Sequence, residues 1–97
     1  MFIVSLTYKC ELDQVETHLP AHIEYLKKQY SLGNFIASGR KVPRNGGVIL
    51  ARANSKSELN TILEQDPFHK NDIADYDVQE FIPTMVGEGL EALREDA

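Results

Sequence analysis

Asp66 stands in a setting that suggests chemistry, because it directly precedes Pro67 and Phe68 where a helix-like stretch ends. An Asp followed by Pro is a strong helix-start signal, since the carboxylate caps the new helix and proline fits its first position. A carboxylate that is held rigidly by the backbone it caps is also suited to orient a catalytic side chain. Asp66 is therefore either a structural cap alone or a cap whose second carboxylate oxygen also belongs to a catalytic pair.

His22 is the candidate partner of this carboxylate, because imidazole titrates near neutral pH and a neighbouring carboxylate orients the ring and raises its basicity. On a helix it lies roughly 60° from Leu19 and about 40° from Leu26, at the border of an apolar stripe. One interpretation is a border histidine bonded to a carbonyl group or to water. The other is a general base at the mouth of a pocket.

The segment Ser38–Arg44 carries three cations in an otherwise acidic chain. Lys41 is expected to be solvated, as charge runs usually are. A guanidinium at a site mouth, from Arg40 or Arg44, would bind a carboxylate or enolate in bidentate fashion. Tyr8 is a candidate hydrogen-bond donor to a ligand, and Phe68 a candidate pocket wall. The predicted substrate-binding residues are Tyr8, Ser38, Arg40, Arg44 and Phe68.

Hydrophobic periodicity predicts the first two elements that must position these residues. Alternation over Phe2–Tyr8 predicts a strand, with the even-numbered side chains on one face. Helical spacing from Asp13 to Leu32 predicts a helix. At Pro20 either a short turn ends near His18 and the main helix starts afresh, which is favoured, or the helix kinks. The predicted buried stripe of this helix is Val15, Leu19, Ile23, Leu26 and Tyr30.

The remaining elements are predicted in the order strand, strand, helix, strand, followed by a short helical tail. Asn45-Gly46 favours an antiparallel hairpin between the first two of these strands, and Gly39 and Gly46 suggest bulges or close backbone approaches. Ser55 is the predicted N-cap of the second helix. The predicted bounds are Phe35–Val42, Val48–Ala53, Ser55 to about Gln65, Ile73–Ile82 and Thr84–Ala97. We expect one domain over residues 1–97, with a core over 1–83 and a tail over 84–97.

This order predicts an α+β fold of the ferredoxin-like βαββαβ type, with a four-stranded antiparallel sheet. In that plan the amino end of the first helix, the hairpin and the carboxyl end of the second helix share one end of the sheet. His22, the turn from Arg40 to Gly47, and Asp66 should therefore be close in space.

The composition excludes several classes of function. The 97 residues are 42% hydrophobic and 26% charged, as in a soluble globular domain, and a formal charge of −5 disfavours nucleic-acid binding. Cys10 is the only cysteine, so no intrachain disulfide is expected and a reduced cytoplasm fits best. The sequence contains no basic leader and no apolar run of ~18 residues, which argues against secretion and membrane insertion. The histidines lack regular metal-ligand spacing, and no nucleotide-binding motif occurs, so we expect neither a metal nor a cofactor.

Several stretches resemble the YciI-like family, namely MFIVSLTY, LPAHIEYL, FIASGRKVPRNGGVIL, DPF and FIP, which together span residues 1 to about 83. The resemblance implies a dimeric α+β barrel, in which two ferredoxin-like sheets pack face to face. It also implies an active-site His–Asp pair, which by motif falls on His22 and Asp66. Relatives of this type include a dehydrochlorinase and, more distantly, muconolactone isomerase, which implies cofactor-free proton abstraction or elimination on a small ring compound. Many members carry Gly-Pro where Gly39 is here followed by Arg40, so the ligand's identity stays open.

Two hypotheses follow. In the first, the chain is a lyase- or isomerase-type enzyme acting on a small anionic or ring-containing metabolite: His22 takes a proton, Asp66 holds the imidazolium, and Arg40 or Arg44 stabilises developing negative charge. In the second, the chain is a non-catalytic dimer that binds a small ligand or serves as an accessory module. A hydrogen bond between His22 and Asp66 at the wall of a partly dry pocket would favour the enzyme.

Overall fold

The computed structural model describes residues 1–95. In chain order the helices and strands are β1 (Phe2–Tyr8), α1 (Leu12–Ser31), β2 (Phe35–Arg40), β3 (Gly46–Ala51), α2 (Lys56–Leu63), α3 (Pro67–Lys70) and β4 (Ala74–Glu80). The strands form one sheet in the order β2-β3-β1-β4, and each neighbouring pair is antiparallel. The predicted ferredoxin-like fold is confirmed, with α3 as an added turn of helix before β4.

Strand β1 lies at the centre of the sheet and shows the predicted alternation. Phe2 and Val4 are fully buried, whereas Ile3 between them is 36% exposed on the opposite face. The buried face packs against both main helices, through a core that includes Val15 of α1 and Leu59 of α2. The helices therefore cover one face of the sheet, and the functional residues that they carry must meet the sheet from that side.

The connection between β2 and β3 has the predicted five residues but lies two positions earlier in the chain than predicted. Strand β2 ends at Arg40 rather than Val42, and β3 begins at Gly46 rather than Val48. Residues 41–45 form the connection, which is closed by the Lys41 N–H donating to the Gly46 carbonyl at 2.9 Å.

Gly46 confirms the close backbone approach that was predicted for it. A Cβ atom at this position would collide with the carbonyl oxygen of Leu6 on β1, so only glycine fits. At Gly39 nothing lies within 4 Å of an added Cβ, and the register irregularity of β2 falls earlier, between Phe35 and Ala37. The prediction of a bulge or close approach at Gly39 was wrong.

Helix α1 runs through Pro20 without a break, so the favoured fresh start at that residue was wrong. Proline inside a helix costs roughly 3 kcal/mol, because its N–H is missing and its ring crowds the preceding turn. Pro20 is exposed, while Val15 before it and His22 after it are both buried on the same side. Burial on both sides of Pro20 offsets this cost.

The buried face of α1 also differs from the predicted apolar stripe. Ile23 and Tyr30 of that stripe are 41% and 39% exposed, whereas His22 is only 8% exposed. The polar residues enter the core because they find hydrogen-bond partners: Gln29 Oε1, for example, accepts from the Asn34 side chain at 2.8 Å. The buried residues of α1 are Val15, His22, Tyr25 and Gln29. His22 is thus more deeply buried than its predicted border position suggested.

The two caps that follow behave as predicted. Ser55 Oγ accepts the Glu58 N–H at 3.1 Å at the start of α2, and Asp66 caps α3. Helix α2 ends at Leu63, two residues before the predicted Gln65. This early end lets the chain turn and present Asp66 to the core.

The last segment is less regular than predicted. Strand β4 is shorter than the predicted Ile73–Ile82 at both ends. The helix predicted over Thr84–Ala97 is reduced to one 3₁₀ turn, Glu91–Leu93, and residues 96–97 lie outside the described part of the chain. Two closely spaced glycines disfavour a helix there, and Gly89 has φ +89°, outside the helical region. Within residues 1–95, no helix has both the length and the apolar character needed to cross a membrane.

Candidate active site

His22 and Asp66 meet inside the protein, as the order of the elements predicted. Helix α1 carries His22, and the turn before α3 carries Asp66. His22 Nδ1 lies 2.7 Å from Asp66 Oδ1, and the two residues are 8% and 0% exposed. The predicted proximity is confirmed, while a catalytic role for the pair stays a prediction.

The Asp66 carboxylate is surrounded by groups that can donate hydrogen bonds. Oδ1 accepts the backbone N–H of Phe68 at 2.9 Å and also faces His22, while Oδ2 accepts the Tyr76 hydroxyl at 2.6 Å. The capping oxygen is therefore the one that meets His22, whereas the sequence suggested that each oxygen has one of these roles. Asp66 is both cap and partner, through a single oxygen.

This arrangement selects one tautomer of His22. Because Asp66 acts as an acceptor towards all its neighbours, the proton of a neutral His22 ring lies on Nδ1, and Nε2 then carries the lone pair. Nε2 makes no hydrogen bond within residues 1–95, and no enclosed side-chain nitrogen or oxygen in that range lacks a partner. Nε2 is therefore accessible, and His22 lines a cavity. The residue that carries this accessible nitrogen thus borders the space in which a ligand would lie.

The imidazole ring is fixed by stacking as well as by Asp66. Phe68 lies parallel to it, with ring centroids 3.9 Å apart and an interplanar angle of 1°. Tyr8 packs edge-on against Phe68 at 6.1 Å. Both aromatic residues line the same cavity as His22, which gives Phe68 the wall position that was predicted.

The cavity measures about 180 Å³ and lies between α1 and the β2–β3 end of the sheet. Its α1 side is mainly apolar, from Leu19, Ile23 and Leu26, and three glycines of β2 and β3 form part of the opposite side. An apolar protein cavity of about 150 Å³ accepts benzene. A single six-membered ring with small substituents therefore fits this space.

The three cations of the hairpin occupy different places. Arg40 lines the cavity, and its guanidinium makes no hydrogen bond or ion pair within residues 1–95. Arg44 lies elsewhere, and its Nη1 pairs with Glu16 Oε1 at 3.2 Å. Lys41 Nζ donates to the Thr7 hydroxyl at 3.2 Å. Of the two arginines considered for substrate binding, Arg40 lines the cavity, whereas Arg44 does not and is paired with Glu16.

Ser38 also lines the cavity, beside Arg40 on β2. Its hydroxyl lies 2.6 Å from the Tyr30 hydroxyl of α1, and either group can be the donor. This bond joins α1 to β2 next to the cavity.

Tyr76 is a part of the site that the sequence analysis missed, and Tyr25 is a second buried tyrosine near Asp66. Burial, reinforced by the negative charge of Asp66, raises the pKa of both hydroxyls, so each stays protonated and can donate. Tyr76 donates to Asp66, whereas Tyr25 donates to the Ile62 carbonyl at 2.8 Å. Tyr76 pairs with the buried Leu6 in the sheet, so the alternation of β4 contained a signal for its inward position.

Among residues 1–95, neither a cluster of metal ligands nor Cys10 lines this cavity. No group of three or more His, Cys, Asp or Glu side chains among residues 1–95 could hold a metal ion. Cys10 is half-buried, with its sulfur 3.8 Å from the Ile73 carbonyl oxygen.

Comparisons with known proteins agree with this fold. The family model described as the YCII-related domain matches residues 1–82. No curated protein sequence matches the chain significantly. Among solved structures, the chain is similar to the 5-chloro-2-hydroxyhydroquinone dehydrochlorinase of Burkholderia phenoliruptrix AC1100 in complex with 2,5-dihydroxybenzoquinone. The TM-score is 0.71 at 20% sequence identity, and the match covers 82% of this chain and 91% of the other.

Proposed function

The chain belongs to the YCII-related domain family, and from the geometry of its cavity we propose that it is a small enzyme that abstracts a proton from a ring-containing or anionic metabolite without a cofactor. The observation that carries the proposal is the orientation of His22. Asp66 holds its Nδ1 at 2.7 Å, and its free Nε2 opens onto an apolar cavity of one-ring size.

In the proposed reaction, His22 Nε2 takes a proton from a ring carbon of the substrate. In an elimination, the C–H electron pair forms a new carbon–carbon double bond while the leaving group departs with its own bonding pair. In an isomerisation, the electron pair forms an enolate that is reprotonated at another carbon. Asp66 stabilises the imidazolium, which afterwards gives its proton to water or back to the product.

Arg40 supplies the electrostatic part of the proposal. Its unpaired guanidinium at the cavity can bind the oxygen on which negative charge develops, or a carboxylate of the substrate. The similar structure is that of a dehydrochlorinase, and its ligand is a hydroxylated six-membered ring. A phenol, lactone or halogenated aromatic acid combines the size and charge that this cavity would accept.

A screen of these three compound classes tests the proposal. We expect the wild-type protein to turn over at least one of them, as measured by absorbance change or release of halide. Ligand binding that is detected by calorimetry with no turnover in any class would instead favour the alternative, a dimeric small-ligand-binding or accessory module.

Replacing Arg40 with Gln is expected to raise KM about tenfold for anionic compounds, because a charge-assisted hydrogen bond to the ligand is lost. Arg44→Gln is the matched control, since it removes the same charge from the same hairpin but lies in an ion pair with Glu16. Steady-state kinetics on the best screened compound give both values. Equal KM changes in the two variants would contradict a binding role for Arg40.

We also propose that two copies pair through the face of the sheet that the helices leave uncovered. This face exposes the apolar side chains of Ile3 (36%) and Val48 (39%). The wild-type chain is expected to sediment at about twice its 11.0 kDa mass, and Ile3→Lys to shift it towards the monomer. Leu32→Lys, at an apolar residue 59% exposed beyond the end of α1, is the control that should stay dimeric. A wild-type monomer at every concentration would refute the pairing.

A further inference from the structure

Asp66 has two oxygens, and the proposed reaction uses only one of them. Oδ1 meets His22 and the Phe68 N–H, but Oδ2 is equally buried and accepts the Tyr76 hydroxyl at 2.6 Å. A buried carboxylate oxygen without this donor would be left unsatisfied, at a large cost. Tyr76 therefore interacts with the part of Asp66 that is turned away from the histidine.

We propose that Tyr76 is a positioning residue, which fixes the Asp66 carboxylate so that Oδ1 faces His22 and selects the tautomer with the proton on Nδ1. This inference deepens the proposed function and rests on it for its purpose, because only that tautomer presents a basic Nε2 to the cavity. Its test requires no substrate.

The neighbours of Asp66 show why one hydroxyl has this effect. The Phe68 N–H comes from the backbone and holds Oδ1, the same oxygen that meets His22, so these two contacts leave the carboxylate free to turn about Oδ1. Tyr76, on β4, is the second anchor, and it holds the other oxygen, Oδ2. Two anchors on different oxygens fix the plane of the carboxylate, and His22 then meets a stationary acceptor.

Tyr25 provides a matched control for this idea. It is another buried tyrosine, and burial together with the negative charge of Asp66 raises the pKa of its hydroxyl. That hydroxyl donates to the Ile62 carbonyl and makes no bond to the carboxylate. Tyr25→Phe removes a buried hydroxyl from the same core without removing an anchor of Asp66. A general loosening of the core would affect His22 equally in both variants.

The test is a long-range ¹H–¹⁵N spectrum of histidine-labelled protein, recorded for wild type, Tyr76→Phe and Tyr25→Phe. The His22 signals are assigned by their absence in His22→Ala, and those of His18 serve as an internal reference. In wild type and Tyr25→Phe we expect one protonated and one unprotonated ring nitrogen, with the proton on Nδ1. In Tyr76→Phe the two nitrogen shifts should move towards each other, as the two tautomers exchange.

Wild-type shifts in a folded Tyr76→Phe, or equal changes in both variants, would overturn the proposal. If Tyr76→Phe does not fold, the wild-type protein still tests it: the Tyr76 hydroxyl proton should exchange slowly, and exchange as fast as that of the exposed Tyr30 would overturn the assignment. Once a substrate is known, Tyr76→Phe should lower kcat about tenfold with KM unchanged. A failed substrate screen would count against the proposed function only, because the spectrum tests the positioning role of Tyr76 without a substrate.

Discussion

Replacing His22 with Ala is expected to lower kcat by about 10²- to 10⁴-fold on any compound that the wild-type protein turns over, which is the range that general-base catalysis supplies. The loss should appear in kcat, because Nε2 acts on the proton in the transition state and has little part in holding the ring. Steady-state kinetics with the screened substrate measure it. Urea unfolding of the same sample checks that the variant is folded.

His18→Ala is the matched control, because it removes a histidine from the same helix one turn earlier and this side chain does not line the cavity. It should keep activity close to that of wild type. Added imidazole should restore part of the His22→Ala activity, since the substitution leaves space beside Phe68 where a free base can stack. Turnover that survives His22→Ala unchanged would remove His22 from the mechanism.

The part of the site that the sequence predicted follows from chain order. Alternation in Phe2–Tyr8 and helical spacing after it fix a βαββαβ order, and that order alone brings His22 and Asp66 to one end of the sheet. The cap at Asp66 was equally predictable, because the preference of Asp and Pro for the start of a helix depends only on neighbouring residues and not on tertiary structure. These features depend on neighbours in sequence or on topology, and both are encoded in the pattern of residue types.

The parts that the sequence did not predict depend on which polar groups find partners. Apolar periodicity predicted that Ile23 is buried and that His22 lies at the border of the buried face. In the structure Ile23 is exposed, and His22 is buried because it forms a hydrogen bond with Asp66. For the same reason, the sequence could not tell Arg40 from Arg44. The ion pair with Glu16 decides between them, and it joins residues 28 positions apart.

Ionisable and polar side chains in the core can destabilise a chain of 97 residues, because a buried polar group that loses its hydrogen-bond partner lowers the free energy of unfolding. His22, Asp66 and Tyr76 satisfy one another, and no enclosed polar side-chain atom in residues 1–95 lacks a partner. Stability and the candidate chemistry therefore depend on the same carboxylate. Removing it should affect folding far more than removing an ordinary helix cap.

Replacing Asp66 with Ala is expected to lower the free energy of unfolding by about 3 to 5 kcal/mol. Of this, about 1 kcal/mol is the lost cap of α3, which is the bond from the Phe68 N–H. The rest comes from the donors of His22 and Tyr76 that lose their acceptor inside the core. Urea unfolding at one fixed protein concentration measures the difference, so that any dimerisation contributes equally to each variant.

Ser55→Ala separates the two contributions, because Ser55 caps α2 through the same kind of bond, to the Glu58 N–H, but at an exposed position. It should cost only about 1 kcal/mol. If Asp66→Ala costs no more than Ser55→Ala, Asp66 is a cap alone and its contacts with His22 and Tyr76 do not stabilise the fold. If the loss is several-fold larger, most of the stabilisation by Asp66 comes from its contacts with His22 and Tyr76, and the cap of α3 contributes the smaller part.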